Sequence, residues 1–175
     1  MIEKKIFLVL TLPVFLSINT FAQPSDSVRQ HLTSVAREII SRAEHCVFIT
    51  VDQNRQPQAR TMDPFEPEAD FTIWLATNPS SRKVKQIRKN SNVTLYYYDG
   101  DNGYVSLYGK AELVNNQQEK DKRWKTEWAD FYPNRTDAYL LIRVKPSRLE
   151  IISYKNNIIG DSKTWKPEVV EFRKP

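Results

Sequence analysis

The sequence predicts a mainly β (α+β) fold, an antiparallel barrel with flanking helices. Three observations lead there. From Cys46 to Tyr154 the chain passes through six or seven short segments rich in β-branched and aromatic residues. Turn-forming clusters separate them at short intervals, as at Asp52-Gln53-Asn54-Arg55 and Asp99-Gly100-Asp101-Asn102-Gly103. Helical spacing of apolar residues is confined to three stretches. Closing such a set of strands removes their exposed edges. The 175 residues suit one domain.

The first segment stands apart from that domain. Lys4 and Lys5 precede an apolar run from Ile6 to Leu16, and Thr20-Phe21-Ala22 offers small residues for cleavage. This is the pattern of a secretory signal over residues 1–22. The expected mature domain is 23–175, exported to a periplasm or secreted. The apolar run is too short for a transmembrane helix, so no stable membrane anchor is expected after cleavage. There is no cysteine near the cleavage point, which argues against a lipoprotein. There is no twin-arginine pair either, so the chain is expected to travel unfolded.

The domain then reads element by element. Ser25 or Asp26 caps a helix whose apolar positions are Val28, Leu32, Val35, Ile39 and Ile40, ending near Glu44. Val47, Ile49 and Val51 alternate along a first strand, and Gln56 to Met62 returns as the second. Pro64 and Pro67 make Asp63–Asp70 a loop. Phe71–Thr77 is a third strand, Ser81–Lys89 a short basic helix with Val84 and Ile87 as its apolar face. Val93–Tyr98 and Tyr104–Leu113 are the next strands. Gln117–Ala129 is expected to be helical, bringing Trp124 and Trp128 together at i and i+4. Tyr139–Lys145 and Arg148–Tyr154 read as two strands broken at Pro146. No element is assigned beyond Asn156.

Composition limits the function classes. Formal charge is +5, and +4 without Glu3, Lys4 and Lys5, with both signs interspersed. Such a mild balance suits a small anionic ligand and calls for no nucleic acid. His31 and His45 are the only histidines, so a metal cluster or a Ser-His-Asp arrangement lacks its parts. No metal is expected. Cys46 is the only cysteine and opens an apolar strand, where it reads as a buried small hydrophobe; an intramolecular disulfide is excluded.

The most informative stretch is Phe71–Asp99. In it, Ser80-Ser81-Arg82-Lys83 places two hydroxyls and two cations where a helix begins. Free N–H groups and the helix dipole favour an anion there. Arg82 and Lys83 would add charge-assisted hydrogen bonds. The turn is a phosphate seat or, on the plainer reading, a solvated basic surface.

Several motifs in order carry a resemblance. They are Arg60-Thr61-Met62, Trp74-Leu75-Ala76-Thr77-Asn78, Ser81-Arg82-Lys83 and Asn90 before Val93-Thr94-Leu95-Tyr96-Tyr97. Tyr104–Glu112, Trp124-Lys125, Phe131-Tyr132-Pro133 and Val144–Glu150 continue the series. Over roughly Val28 to Tyr154 the chain resembles the pyridoxamine 5′-phosphate oxidase-like FMN-binding split-barrel superfamily, closest to its general stress protein branch. The resemblance implies a six-stranded antiparallel split β-barrel and a homodimer with FMN at its interface. It further implies that Arg60, Arg82 and Lys83 hold the FMN phosphate with Ser81 adding a hydroxyl. Thr61 and Met62 would pass along the flavin ring, and Ala76 and Thr77 would line ring and ribityl chain. Tyr104 would take a flavin-contacting position that is Gln in the oxidases. Trp124 or Trp128 would cover the site or pack in a core or interface.

The flavin performs redox chemistry itself, so a missing catalytic triad does not argue against an oxidoreductase. The catalytic residues stay unknown. The arginine-rich C-terminal segment of the true oxidases has no counterpart in Lys155–Pro175, and the loop after Met62 lacks their extra lysine. A role in vitamin B6 synthesis is therefore not expected. The leading expectation is an exported, homodimeric FMN protein acting on a small-molecule redox substrate or electron donor. The alternatives are a non-enzymatic flavin- or haem-binding stress-related module, a deazaflavin protein, or an interaction protein without ligand.

Overall fold

The computed structural model describes residues 25–134 and 136–172. The proposed signal segment lies outside the described residues. The elements are α1 (Asp26–Ala43), β1 (Cys46–Val51), β2 (Pro57–Met62), β3 (Ile73–Thr77), α2 (Arg82–Lys89), β4 (Asn92–Asp99), β5 (Gly103–Val114), α3 (Gln117–Lys122), β6 (Leu140–Ile152) and β7 (Glu168–Glu171). All strand pairs are antiparallel, in the order β2-β1-β4-β5-β6-β3, with β7 added to β6. This is the expected six-stranded split barrel, a curved sheet with three helices. Its edges, β2 and β3, are not joined into a closed cylinder. No helix among the described residues is long and apolar enough to cross a membrane.

Alternation explains the core. Cys46, Phe48 and Thr50 of β1 are buried and their neighbours half-buried, as a strand with one covered face requires. Leu95 and Tyr97 of β4 join Val105 and Leu107 of β5 and Leu149 and Ile151 of β6 in the same cluster. Helix α1 closes one side with Leu32, Val35, Ala36, Ile39 and Ile40, and Ser25 caps it by accepting from the Val28 N–H at 3.5 Å. Val28 itself is 46% exposed and lies off that stripe. Val84 and Ile87 seat α2, and truncating either to alanine should cost about 2–4 kcal/mol from lost burial and the cavity left behind.

Three sequence expectations are corrected. Pro146 does not divide β6, which runs unbroken for 13 residues. The pairing shifts there, from Gly109 opposite Pro146 to Tyr108 opposite Arg148, so Ser147 is an extra residue. A bulge accommodates a proline that cannot donate to the ladder. Gly109 is required on the facing strand, because a Cβ there would lie 2.3 Å from the Lys145 carbonyl oxygen.

The expected helix 117–129 stops at Lys122 and resumes as a 3-10 turn, Thr126–Asp130. Tertiary contacts override the local preference. Arg123 stacks 3.7 Å from the Trp74 ring centroid and pairs with Glu68 and Glu119, and Lys125 bonds Asp63. The tail also holds a strand the sequence did not suggest: β7 pairs Val169 and Val170 with Glu150 and Leu149.

Candidate functional site

The site lies where the barrel fails to close. At one end the gap is pinched by a bridge between Pro64 and Leu75, with the Phe65 N–H donating to the Trp74 carbonyl at 2.9 Å. Towards the other end, β2 contributes Arg60, β3 ends in Thr77, and α2 begins. The turn into α2 is locally determined. Asn78 accepts from the Ser80 N–H through its side chain at 2.8 Å, and its carbonyl accepts from the Ser81 N–H at 3.0 Å. Ser81 is the N-cap residue, but its side chain makes no capping bond. Its hydroxyl instead meets that of Thr77 at 3.1 Å.

Three cations meet around this turn. Lys83 donates to the Thr77 hydroxyl at 3.0 Å. Arg60 lies under α2, donating to the Thr50 hydroxyl at 2.7 Å, the Phe48 carbonyl at 3.3 Å and the Gln86 amide oxygen at 3.3 Å. Arg82 is exposed at the first position of the helix. Among the described residues none of the three pairs with a carboxylate. The electrostatic consequence is direct. Burial, then the charges of Arg60 and Arg82, hold the Lys83 ammonium below its ordinary pKa. Burial, then Arg82, does the same to Arg60. A cluster of mutually repelling cations around a helix N-terminus favours a nearby anion on electrostatic grounds.

The structure thus brings Arg60, Thr77, Ser81, Arg82 and Lys83 together. Thr61 and Met62 follow Arg60 on the edge strand. Met62 packs against the main core, while Thr61 faces outward and shares a concavity with His45, Val47, Tyr96 and Tyr98. Tyr104 lies on that outer face, its ring 5.5 Å from Tyr96. Burial keeps both phenols above their ordinary pKa. Ala76 belongs to a second core with Trp74, Trp128, Tyr139 and Leu141. Trp124 packs against that core, 6.2 Å from Trp128 and 5.5 Å from Tyr139. Asp63, directly after β2, ties this aromatic segment to the edge strand by accepting from the Trp128 indole at 3.0 Å.

Two site residues were not found from sequence. Thr50 is fully buried and donates to Gln86 at 2.6 Å, and together they orient Arg60. Thr50 gives a weak signal as a hydroxyl at an inward position of β1. Gln86 gives none. His31 and His45 are both exposed, and His45 lines the concavity beside Thr61. Among the described residues no group of three or more His, Cys, Asp or Glu could hold a metal ion.

Known proteins share this fold. General stress protein 26 of Bacillus subtilis (strain 168) is 30% identical over 107 residues, covering 58% of this chain and 74% of that protein. The crystal structure of general stress protein 26 from Bacillus anthracis str. Sterne superposes with a TM-score of 0.65 at 25% identity, covering 81% of this chain and 98% of that one. A pyridoxamine 5′-phosphate oxidase-related, FMN binding protein from Nostoc punctiforme PCC 73102 has the same fold, with a TM-score of 0.58 at 11% identity over 89% of this chain and 99% of its own. The family model described as pyridoxamine 5′-phosphate oxidase like matches residues 31–159, from α1 past the end of β6, and the chain belongs to that family.

Proposed function

We propose that this protein binds FMN at the split of the barrel and acts as a flavin-dependent oxidoreductase on a small molecule. The observation that carries the proposal is the set of Arg60, Arg82 and Lys83 without a carboxylate partner among the described residues. A phosphate dianion supplies the missing charge, and Ser81 and Thr77 add hydroxyls beside it. The free edge of β2 at Thr61 and Met62 offers unpaired backbone groups to the polar rim of a flavin ring. Bound there, the flavin would supply hydride and electron transfer, while the protein binds and orients it. The FMN-binding relative supports the choice of cofactor.

Homodimerisation belongs to the same reading. The outer face of β1, β4 and β5 carries Val47, Ile49, Tyr96, Tyr104 and Tyr108, all half-buried, and Tyr98, which is 63% exposed. A second copy would cover this aromatic face and place it beside the flavin. Export rests on the sequence of residues 1–22 alone. Neither a vitamin B6 phosphate substrate nor a nucleic acid is part of the proposal.

Titrating FMN and riboflavin into the purified protein tests the assignment. Two or three charged contacts to phosphate should favour FMN over riboflavin by roughly 100-fold or more. Equal affinities would remove the phosphate seat, and no binding of either would remove the flavin. NAD(P)H oxidation by the loaded protein then separates a reductase from a binding module.

A further inference from the structure

The phosphate seat opens into a groove with more charge than one phosphate uses. Between α2 and the turn joining β1 to β2 lies a concavity of about 530 Å³. Arg82, Lys85, Arg88 and Lys89 line it from the helix, facing Asp52, Gln53 and Asn54 on the turn. Arg82 and Gln86 belong to both seat and groove, so the two are continuous.

The carboxylate of Asp52 does not serve these cations. It accepts from the backbone of Asn54 at 2.8 Å and Gln56 at 3.0 Å, and from the Gln58 amide at 3.1 Å, which makes the turn. None of the four cations forms an ion pair among the described residues. Lys89 reaches only the amide oxygen of Gln53, at 3.5 Å.

Arg82, Lys85 and Lys89 follow at i, i+3 and i+7, one stripe of like charge that works against the helix. Solvated helix faces ordinarily relieve such a stripe with Asp or Glu. The sequence of α2, RKVKQIRK, contains neither. The like charges are kept around a concavity that continues a phosphate seat.

We propose that this groove is a second anion subsite and that the protein accepts the diphosphate of FAD across seat and groove. The proposal rests on the flavin reading above. FMN carries two negative charges on one phosphoryl group, whereas FAD spreads two over adjacent phosphoryl groups, and Lys85 and Lys89 would meet the charge on the second. The groove would hold the adenosine end, with the Gln53 and Asn54 side chains available to its polar edge.

Calorimetric titration of FMN and FAD at low ionic strength, into the parent protein and Lys85→Gln/Lys89→Gln, tests it. Losing two exposed ion contacts should weaken FAD binding about tenfold in the double variant. FMN affinity should fall less, because its phosphate stays in the intact seat. Added salt should shrink the difference between parent and variant. No loss for FAD, or equal losses for the two flavins, would overturn the second subsite and leave the phosphate seat standing. Binding of neither flavin would remove both readings.

Discussion

Lys83→Met is expected to weaken FMN binding without weakening the fold. Methionine keeps most of the length and apolar stem of lysine while removing the charge. In the free protein the Lys83 ammonium is unfavourable: it is half-buried and stands near Arg60 and Arg82, and all three effects lower its pKa from 10.5. Against this stands one hydrogen bond to Thr77 at 3.0 Å, worth about 0.5–1.5 kcal/mol. The two contributions oppose, so unfolding free energy should change by less than about 1 kcal/mol in either direction.

Binding has no such cancellation. Losing a charged hydrogen bond to phosphate should cost about 1.5–3 kcal/mol, roughly 10- to 150-fold in Kd. Urea unfolding without flavin and fluorescence titration with FMN measure the two effects separately. The pH dependence supplies a further sign. Bound phosphate favours the ammonium and raises the depressed pKa, so binding takes up a proton and affinity falls as pH rises through the free-state value, below 10.5. Lys83→Met should lack that alkaline decline. A variant destabilised by more than about 2 kcal/mol, or one binding FMN as the parent does, would refute the reasoning.

Two other outcomes follow from the fold. Gly109→Ala should lower urea stability by about 1–3 kcal/mol, because its Cβ would press on backbone at Lys145 that the Pro146 bulge already fixes; a loss under about 0.5 kcal/mol would mean the two strands part freely there. Cys46, whose thiol burial pushes up to about 12, should resist a thiol reagent at mildly alkaline pH in the native protein and titrate as one thiol per chain in denaturant. Fast labelling of the native protein would show that β1 opens locally.

The parts of the site that were legible in the sequence are those whose chemistry is contiguous. Ser81, Arg82 and Lys83 are neighbours at a helix start, so spacing alone brings hydroxyl, guanidinium and ammonium together. Arg60 required the family resemblance, since it reaches the seat only because β2 and β3 are the sheet's two edges. The supports of Arg60 stayed hidden for the same reason: Thr50 and Gln86 are 36 residues apart and meet only after α2 folds over β1. The break in the helix after Lys122 was illegible because its causes, Trp74, Glu68 and Asp63, belong to another segment. Pro146 misled because a proline ends a strand unless the partner strand offers a bulge and a glycine. Four residues of β7 carry too short a pattern to stand out from the tail.

The cation cluster and the core around it make opposite demands. Thr50, Gln86 and the Phe48 carbonyl satisfy Arg60 with neutral acceptors, where a carboxylate would have neutralised it. A carboxylate at position 86 would pair with Arg60 and lower the energy of the free fold, but it would also stand beside any bound phosphate and repel it. Glutamine gives Arg60 direction without cancelling its charge. The same logic applies to Lys83, which is held by the Thr77 hydroxyl and not by an acid. Neutral partners fix the geometry before binding, so an incoming anion meets oriented donors whose charge is still unspent. Such preorganisation raises affinity by sparing the ligand the cost of ordering the site. It also leaves the free protein less stable than the same fold with paired charges, as expected where a site is kept for a ligand.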